Sequence, residues 1–193
     1  MSDGKVRRPY RLKERAEAQE RTKQRIAEAA MELHGTVGPA ATSISAIAQR
    51  AGVQRATVYR HFADEAALFA ACAAHWDRLH PAPDPAAWAA ITDPDERLRT
   101  ALEDLYRWYA GGGDMLVLLL RDERHVPNID RLKGLLQAVE GLLMEGRPPS
   151  RPVAATIGHA LDPRTHRSLT ERGLTDDDAV TVMTAAVTAA FHG

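Results

Sequence analysis

TSISAIAQRAGVQRATVYRHF, residues 42–62, is the stretch from which the rest of the chain is read. Ile44, Ile47, Ala48 and Ala51 recur at helical spacing, which gives a first short helix one apolar face. Gly52 follows, a residue that turns the chain at little steric cost, and the turn of a helix-turn-helix often contains one. Gln54 opens a second short helix in which Val58 and Phe62, four apart, share a face. The opposite face offers Gln54, Arg55, Thr57, Tyr59, Arg60 and His61, hydrogen-bond donors with one sign of charge. An ordinary pair of bundle helices explains Ile44, Ile47 and Val58 equally well. It does not explain why Gln54 to His61 holds two Arg, a His and three other polar donors without one acid. A helix apolar behind and donor-rich in front suits a DNA major groove.

Outward from this stretch, the charge is uneven. Residues 1–62 hold 12 Lys/Arg against 6 Asp/Glu, while the remainder holds 13 against 20, so a net charge of -1 conceals a basic N-terminal third and an acidic body. The first part is therefore expected to meet a polyanion and the second is not. Residues 1–13 contain Gly4, Pro9 and five basic residues without apolar periodicity, and read as a flexible basic arm. A helix is expected over about Glu14 to Gly35, its first half charged and its second half burying Ile26, Ala30 and Leu33. Arg21, Thr22 and Arg25 near its beginning are candidates for phosphate contact, against the alternative of solvated surface.

The run TKQRIAEAAMELHGTVG (22–38), followed by the stretch quoted above, closely resembles the tetracycline-repressor (TetR) family of transcriptional regulators over roughly residues 20–70. The resemblance implies an all-α fold of about nine helices. A three-helix DNA-binding domain would occupy 14–63, and a ligand-binding and dimerisation body 64–193. It also implies residue roles. Thr42 corresponds to a phosphate contact at the start of the second helix. Gln54, Arg55 and Ala56 correspond to the base-reading start of the third, and Thr57, Tyr59 and His61 to its backbone clamps, with Arg60 beside them on the donor face. One departure stands out. Where the family commonly has a Lys three positions after Phe62, this chain has Glu65, preceded by Asp64, a pair suited to a helix N-terminus.

Beyond it, Asp64 to His80 is expected as a link helix with Leu68, Cys72, His75, Trp76 and Leu79 on its packing face. Asp93-Pro94 marks a helix start, Gly111-Gly112-Gly113 a linker, and Asp114 the cap of the next helix. A further helix is expected from about Asn128 to Glu145. The segment from Pro152 to about Leu161 and the helix after Thr175 are expected to form the homodimer interface, through Val153, Ile157, Val180, Met183, Val187 and Phe191. The alternative is an intrachain core. Thr175 with Asp178 resembles a capping box with Asp in place of Glu.

Trp76, Trp88, Trp108, Tyr109, Met115 and His159 are candidates for the lining of a ligand pocket, each with plain core packing as its alternative. Zinc spacing, nucleophile elbow and dinucleotide glycine patterns are absent from the sequence, so neither an enzyme, a cofactor nor a metal is expected. The single cysteine fits a reducing compartment, and no apolar run spans a membrane, so the protein is expected in the cytoplasm. The expected partners are a double-stranded, pseudo-palindromic DNA operator, a second copy of the chain, and a small-molecule effector that releases the operator. An activator, a ligand-independent regulator, an all-helical enzyme and an interaction module are the rival readings.

Overall fold

The computed structural model describes the backbone of residues 7–192 and the side chains of residues 12–190. These residues are all-helical, without a strand among them, and form two compact units divided between Leu79 and His80. The expected boundary after residue 63 is therefore displaced by one helix. Among the described residues eleven α-helices replace the expected nine, because Pro85–Ala89 and Pro163–Thr170 are helices in their own right.

In the N-terminal unit α1 (Arg7–Thr36) packs on α2 (Ile44–Arg50), α3 (Arg55–His61) and α4 (Glu65–Leu79). Of the expected basic arm, residues 1–6 lie outside the described residues, while 7–13 are helical. Pro9 does not prevent this. It falls in the first turn, where the backbone N–H groups have no intrahelical acceptor in any case. Ile26, Ala29, Ala30, Ile44, Ile47, Ala48, Ala51, Val58, Phe62, Leu68 and Cys72 form one buried core, which joins α4 to the first three helices. Each fully buried Ile or Leu contributes about 1.5–3 kcal/mol. Leu79 departs from the expected packing face and stands exposed.

The ends of these helices are set by short-range chemistry. Ser43 Oγ accepts from Ala46 N at 3.1 Å and so caps α2, a role one residue after Thr42. Gly52 adopts φ +65°, the left-handed conformation that reverses the chain between α2 and α3. Asp64 Oδ1 accepts from Ala67 N at 2.7 Å and caps α4, as its sequence pattern predicts. Inside the unit, burial depresses the His34 imidazole to a pKa of about 4 and pushes the Cys72 thiol up to about 12. His34 stacks on Phe69 with its Nδ1 3.5 Å from Cys72 Sγ, so both groups serve the core uncharged.

The C-terminal unit holds α5 (Pro85–Ala89), α6 (Pro94–Gly112), α7 (Met115–Arg121), α8 (Ile129–Met144), α9 (Arg151–Leu161), α10 (Pro163–Thr170) and α11 (Asp176–His192). α6 lies against α11, and α11 against α9, which packs in turn on α8. Asp93 caps α6 through Asp95 N and Glu96 N, and Thr175 and Asp178 make the expected reciprocal cap of α11. The triple glycine is not a linker: α6 runs through Gly112 and stops only at Gly113, where φ is +60°. Arg97, buried, donates to the carbonyls of Ile91, Leu142 and Glu145 and so satisfies the C-terminal end of α8.

Val153, Ile157, Val180, Met183 and Val187 are buried within the chain's own core, which corrects their expected place at a homodimer interface. The physical reason is that α9 and α11 turn these residues towards each other and towards α6 and α8. The small residue at Gly158 serves the α8–α9 approach, where an added Cβ would meet Glu140 Oε2 at 3.3 Å. The Phe191 side chain lies outside the described side chains.

Candidate nucleic-acid interface and ligand cleft

α3 is two turns long and leans on the core through Val58 alone, with Phe62 closing it from the C-cap. Gln54, Arg55, Ala56, Tyr59 and Arg60 are exposed, and Thr57 and His61 half-buried. Gln54 is the N-cap residue, yet its side chain makes no capping bond, so the amide is left to face outward beside Arg55. Arg55 Nη2 donates to the Tyr59 hydroxyl at 3.2 Å, and its guanidinium lies 5.6 Å from the ring centroid. These two contacts fix the Arg55 fork on the first turn of α3. Tyr59 also raises the Arg55 pKa further, with Glu65 a smaller contributor. The carboxylate at the start of α4 therefore stands close enough to be felt at the donor face.

The other residues expected at this surface divide. Thr42 is half-buried and its hydroxyl donates to the Gly38 carbonyl at 2.8 Å, so it closes the short turn Pro39–Ala41 before α2. Arg21 is exposed and sits 3.9 Å from Glu17, while the Thr22 hydroxyl donates to Ala18 O at 2.9 Å. Ser43, exposed and adjacent to Thr42, was not among the expected contacts; its place directly before the apolar run Ile44-Ile47-Ala48 is the sequence signal for it.

The aromatic candidates for a ligand site do not converge. Trp76 belongs to the N-terminal unit and the other five residues to the C-terminal one. Trp88 is buried with its Nε1 donating to Asp104, Trp108 Nε1 donates to the His80 carbonyl, and Met115 is packed in the core. His159, expected on an apolar face, is exposed, with Thr165 Oγ1 at 3.2 Å from its Nδ1. Tyr109 lines a cleft. That cleft, about 150 Å³, lies between α6, α7 and α10, with Leu116, Val117, Pro163, His166, Arg167 and Thr170 around it. The Tyr109 hydroxyl donates to Leu161 O at 2.7 Å, and Tyr106 donates to Ala160 O at 2.9 Å. Burial raises both phenol pKa values, so these rings are neutral hydrogen-bond donors held against α9. His166 lies against both rings and bonds Asp176 Oδ1 at 2.8 Å. Arg167 at the rim is matched by Asp114 at 3.2 Å and Glu171 at 2.8 Å. Asp114 thus directs its carboxylate to Arg167 instead of making the expected side-chain cap of α7. The cap-proline pair Asp162-Pro163 followed by residues at 163, 166, 167 and 170 is the spacing from which this face of α10 is legible.

Among the described residues no helix is long and apolar enough to cross a membrane, and no group of three His, Cys, Asp or Glu side chains is placed to hold a metal. Residues 26–72 match the family described as bacterial regulatory proteins, tetR family. No curated protein matches the chain by sequence. Solved structures match nearly the whole chain. A TetR-like transcriptional regulator from Rhodococcus sp. RHA1 is 21% identical with a TM-score of 0.66, over 89% of this chain and 96% of that one. NalD from Pseudomonas aeruginosa, described as the secondary repressor of the MexAB-OprM multidrug efflux pump, is 23% identical with a TM-score of 0.61, over 90% and 97%. FadR from Bacillus subtilis, in complex with stearoyl-CoA, is 19% identical with a TM-score of 0.56, over 88% and 97%. At these identities the likeness is one of fold.

Proposed function

Because its N-terminal domain belongs to the tetR family of bacterial regulatory proteins, we propose that this DNA-binding regulator is a homodimeric repressor released from its operator by a small molecule. The observation that carries the reading is the face of α3: Gln54, Arg55, Tyr59 and Arg60 stand exposed on one short helix without a carboxylate among them. Gln54 and Arg55, at the first turn, are the base readers. Arg55 offers two parallel donors to the O6 and N7 of a guanine, and Gln54 a donor and an acceptor to an adenine edge. Thr57, Tyr59, Arg60 and His61 hold the flanking phosphates, with Thr42, Arg21 and Thr22 as further phosphate contacts.

The dimer would use the outward faces of the last helices, not the residues that the chain's own core has taken up. On α11 these are Thr181, Val182, Ala185 and Ala189, and on α9 Ala155 and His159. Among the described side chains of α11, Val182 at 45% exposure is the largest apolar one so presented. Small residues here permit two copies to approach closely across a two-fold axis, and that symmetry sets the separation of the half-sites.

The effector would enter beside Tyr109 and His166. A cleft of about 150 Å³ is below the roughly 300–1,000 Å³ of typical ligand sites, so binding has to widen it. Its lining is apolar at Leu116, Val117 and Pro163, aromatic at Tyr109, and polar at His166 and Thr170, and the Arg167 charge is already matched by two carboxylates, which favours a neutral or weakly polar, partly aromatic molecule. Operator and effector then oppose each other by a single coupling free energy, and each weakens the other by the same factor.

The test is selection of genomic fragments by the purified full-length protein, followed by binding of the recovered duplex. Gln54→Ala and Arg55→Ala are each expected to relax discrimination at particular base pairs by about 1–3 kcal/mol. Recovery of no fragment above background, or equal loss on every sequence, would remove the reading.

A further inference from the structure

Of the first half of α1, the reading above uses only Arg21 and Thr22. Residues 12–25 are exposed throughout, apart from the half-buried Thr22, and Leu12 is 63% exposed. At about 1.5 Å per residue the stretch Arg7–Arg25 is a rod of about 27 Å. It carries eight basic residues against three acidic ones.

Their arrangement around the helix axis is uneven. Eighteen residues make five turns at 3.6 residues per turn, so positions eighteen apart fall on one line. Arg15 lies on the line of Leu33, and by the same register positions 8 and 11 lie on the lines of Ile26 and Ala29. Ile26, Ala29 and Leu33 belong to the side of α1 that is packed into the core of the N-terminal unit. The side of α1 that carries the fold in its second half therefore continues, in its first half, as a line of arginines. Glu14, Glu17 and Glu20 fall on other lines, and Arg21 is drawn to Glu17 at 3.9 Å, away from the stripe. No described carboxylate pairs with Arg15 or Arg25. A line of one sign of charge, exposed at Arg15 where its side chain is described, matches a partner of regular negative charge, and it runs out from the same unit that presents α3.

We infer that the N-terminal half of α1 is a helical arm that lies along the phosphate backbone of DNA flanking the base pairs read by α3. This rests on the DNA-binding reading above and adds a second surface to it. The arm's contacts are phosphates, so they carry no base information, extend the footprint beyond the α3 site and raise the salt dependence of binding. Each neutralised phosphate contributes roughly 0.9 to the slope of log affinity against log salt.

The experiment is a salt titration of the full-length protein on fluorescent random-sequence duplexes of 20 and 40 base pairs. The variant Arg8→Ala/Arg11→Ala/Arg15→Ala is compared with Glu14→Gln/Glu17→Gln/Glu20→Gln. Alanine keeps the helix, which circular dichroism verifies. The expected result is a slope reduced by about 2–3 in the arginine variant, largely restored by Lys at the same three positions, with a smaller change in the glutamine variant. The loss should be greater on the longer duplex. An unchanged slope in the arginine variant, with wild-type binding intact, overturns the arm. Absence of salt-dependent DNA binding by the wild-type chain overturns the DNA-binding reading itself, and the arm with it.

Discussion

Arginine is used in opposite ways at the buried helix ends of the C-terminal unit and on α3 of the N-terminal one. In the C-terminal unit Arg97 is buried with three backbone carbonyls around it, and Arg147 reaches Leu143 O, Pro94 O and Asp95 from a side chain that is 5% exposed. In α3 Arg55 and Arg60 are exposed, and the one hydrogen bond that Arg55 makes is to Tyr59 on the same face. Buried, the guanidinium closes helix ends that would otherwise leave carbonyls unsatisfied. Exposed, it adds little to folding and remains free to bind. The same residue type is thus structural at Arg97 and Arg147 and available at Arg55 and Arg60, and burial decides which.

The comparison is broken most severely at Arg97. Arg97→Met keeps the aliphatic stem but leaves three carbonyls without their donor, and should cost about 3 kcal/mol or more in urea unfolding of the C-terminal unit. Arg60→Met, by contrast, should leave the unfolding curve within about 0.5 kcal/mol of wild type, as for an ordinary surface change. If both behave alike, the contrast between the units fails.

The N-terminal unit has its own buried titrating group, and its effect follows from the depressed His34 value. Unfolded, the imidazole takes up a proton near 6.5; folded, it does so only near 4. Between these values the unfolded state binds more protons, so the stability contribution is complete above about pH 6.5 and is lost as pH falls towards 4. The loss is up to about 3 kcal/mol at one pKa unit per 1.36 kcal/mol. The difference between wild type and His34→Gln, followed by chemical unfolding at pH 7, 5.5 and 4.5, should shrink over this range. A constant difference would place the charge elsewhere.

Two smaller effects test whether α3 is as free to bind as its exposure indicates. Tyr59→Phe retains the ring under Arg55 and removes one donor, so binding should weaken on all sequences alike, by about 1 kcal/mol. Loss of discrimination at a single base pair would instead show that the hydroxyl acts by holding Arg55. Glu65→Lys reverses a charge felt at Arg55, and should tighten DNA binding and steepen its salt dependence by about one. An unaltered slope would place the start of α4 away from the phosphates.

The helix-turn-helix was legible from its residues because periodicity, glycine and cap coincide there: Ile44 and Ile47, Gly52, and Asp64 each point to the structure found. Elsewhere single signals misled. Gly111 and Gly112 read as a stop, but neither has a conformation closed to other residues, and only Gly113 does. α5, of five residues, is too short to display a helical period. The apolar stripes of α9 and α11 were visible, but a stripe records only that something covers it. Whether the cover is α6 or a second copy depends on tertiary packing. The ligand candidates were not separable from core residues in the sequence for a related reason. Composition marks an aromatic residue, and only the fold reveals whether its polar atom is already engaged, as in Trp88 and Trp108.

The inclusion of α4 in the N-terminal core bears on how this chain can be recombined. Leu68, Cys72 and Trp76 are buried, and the first two complete the core formed by Ile26, Ala30 and Val58. A chimaera joined after His61 would carry the reading helix but strip the cover from that core. One joined between Leu79 and His80 would transfer an intact module. Under the proposed DNA-binding reading, the segment to graft therefore ends at residue 79, and a foreign C-terminal unit should be spliced there.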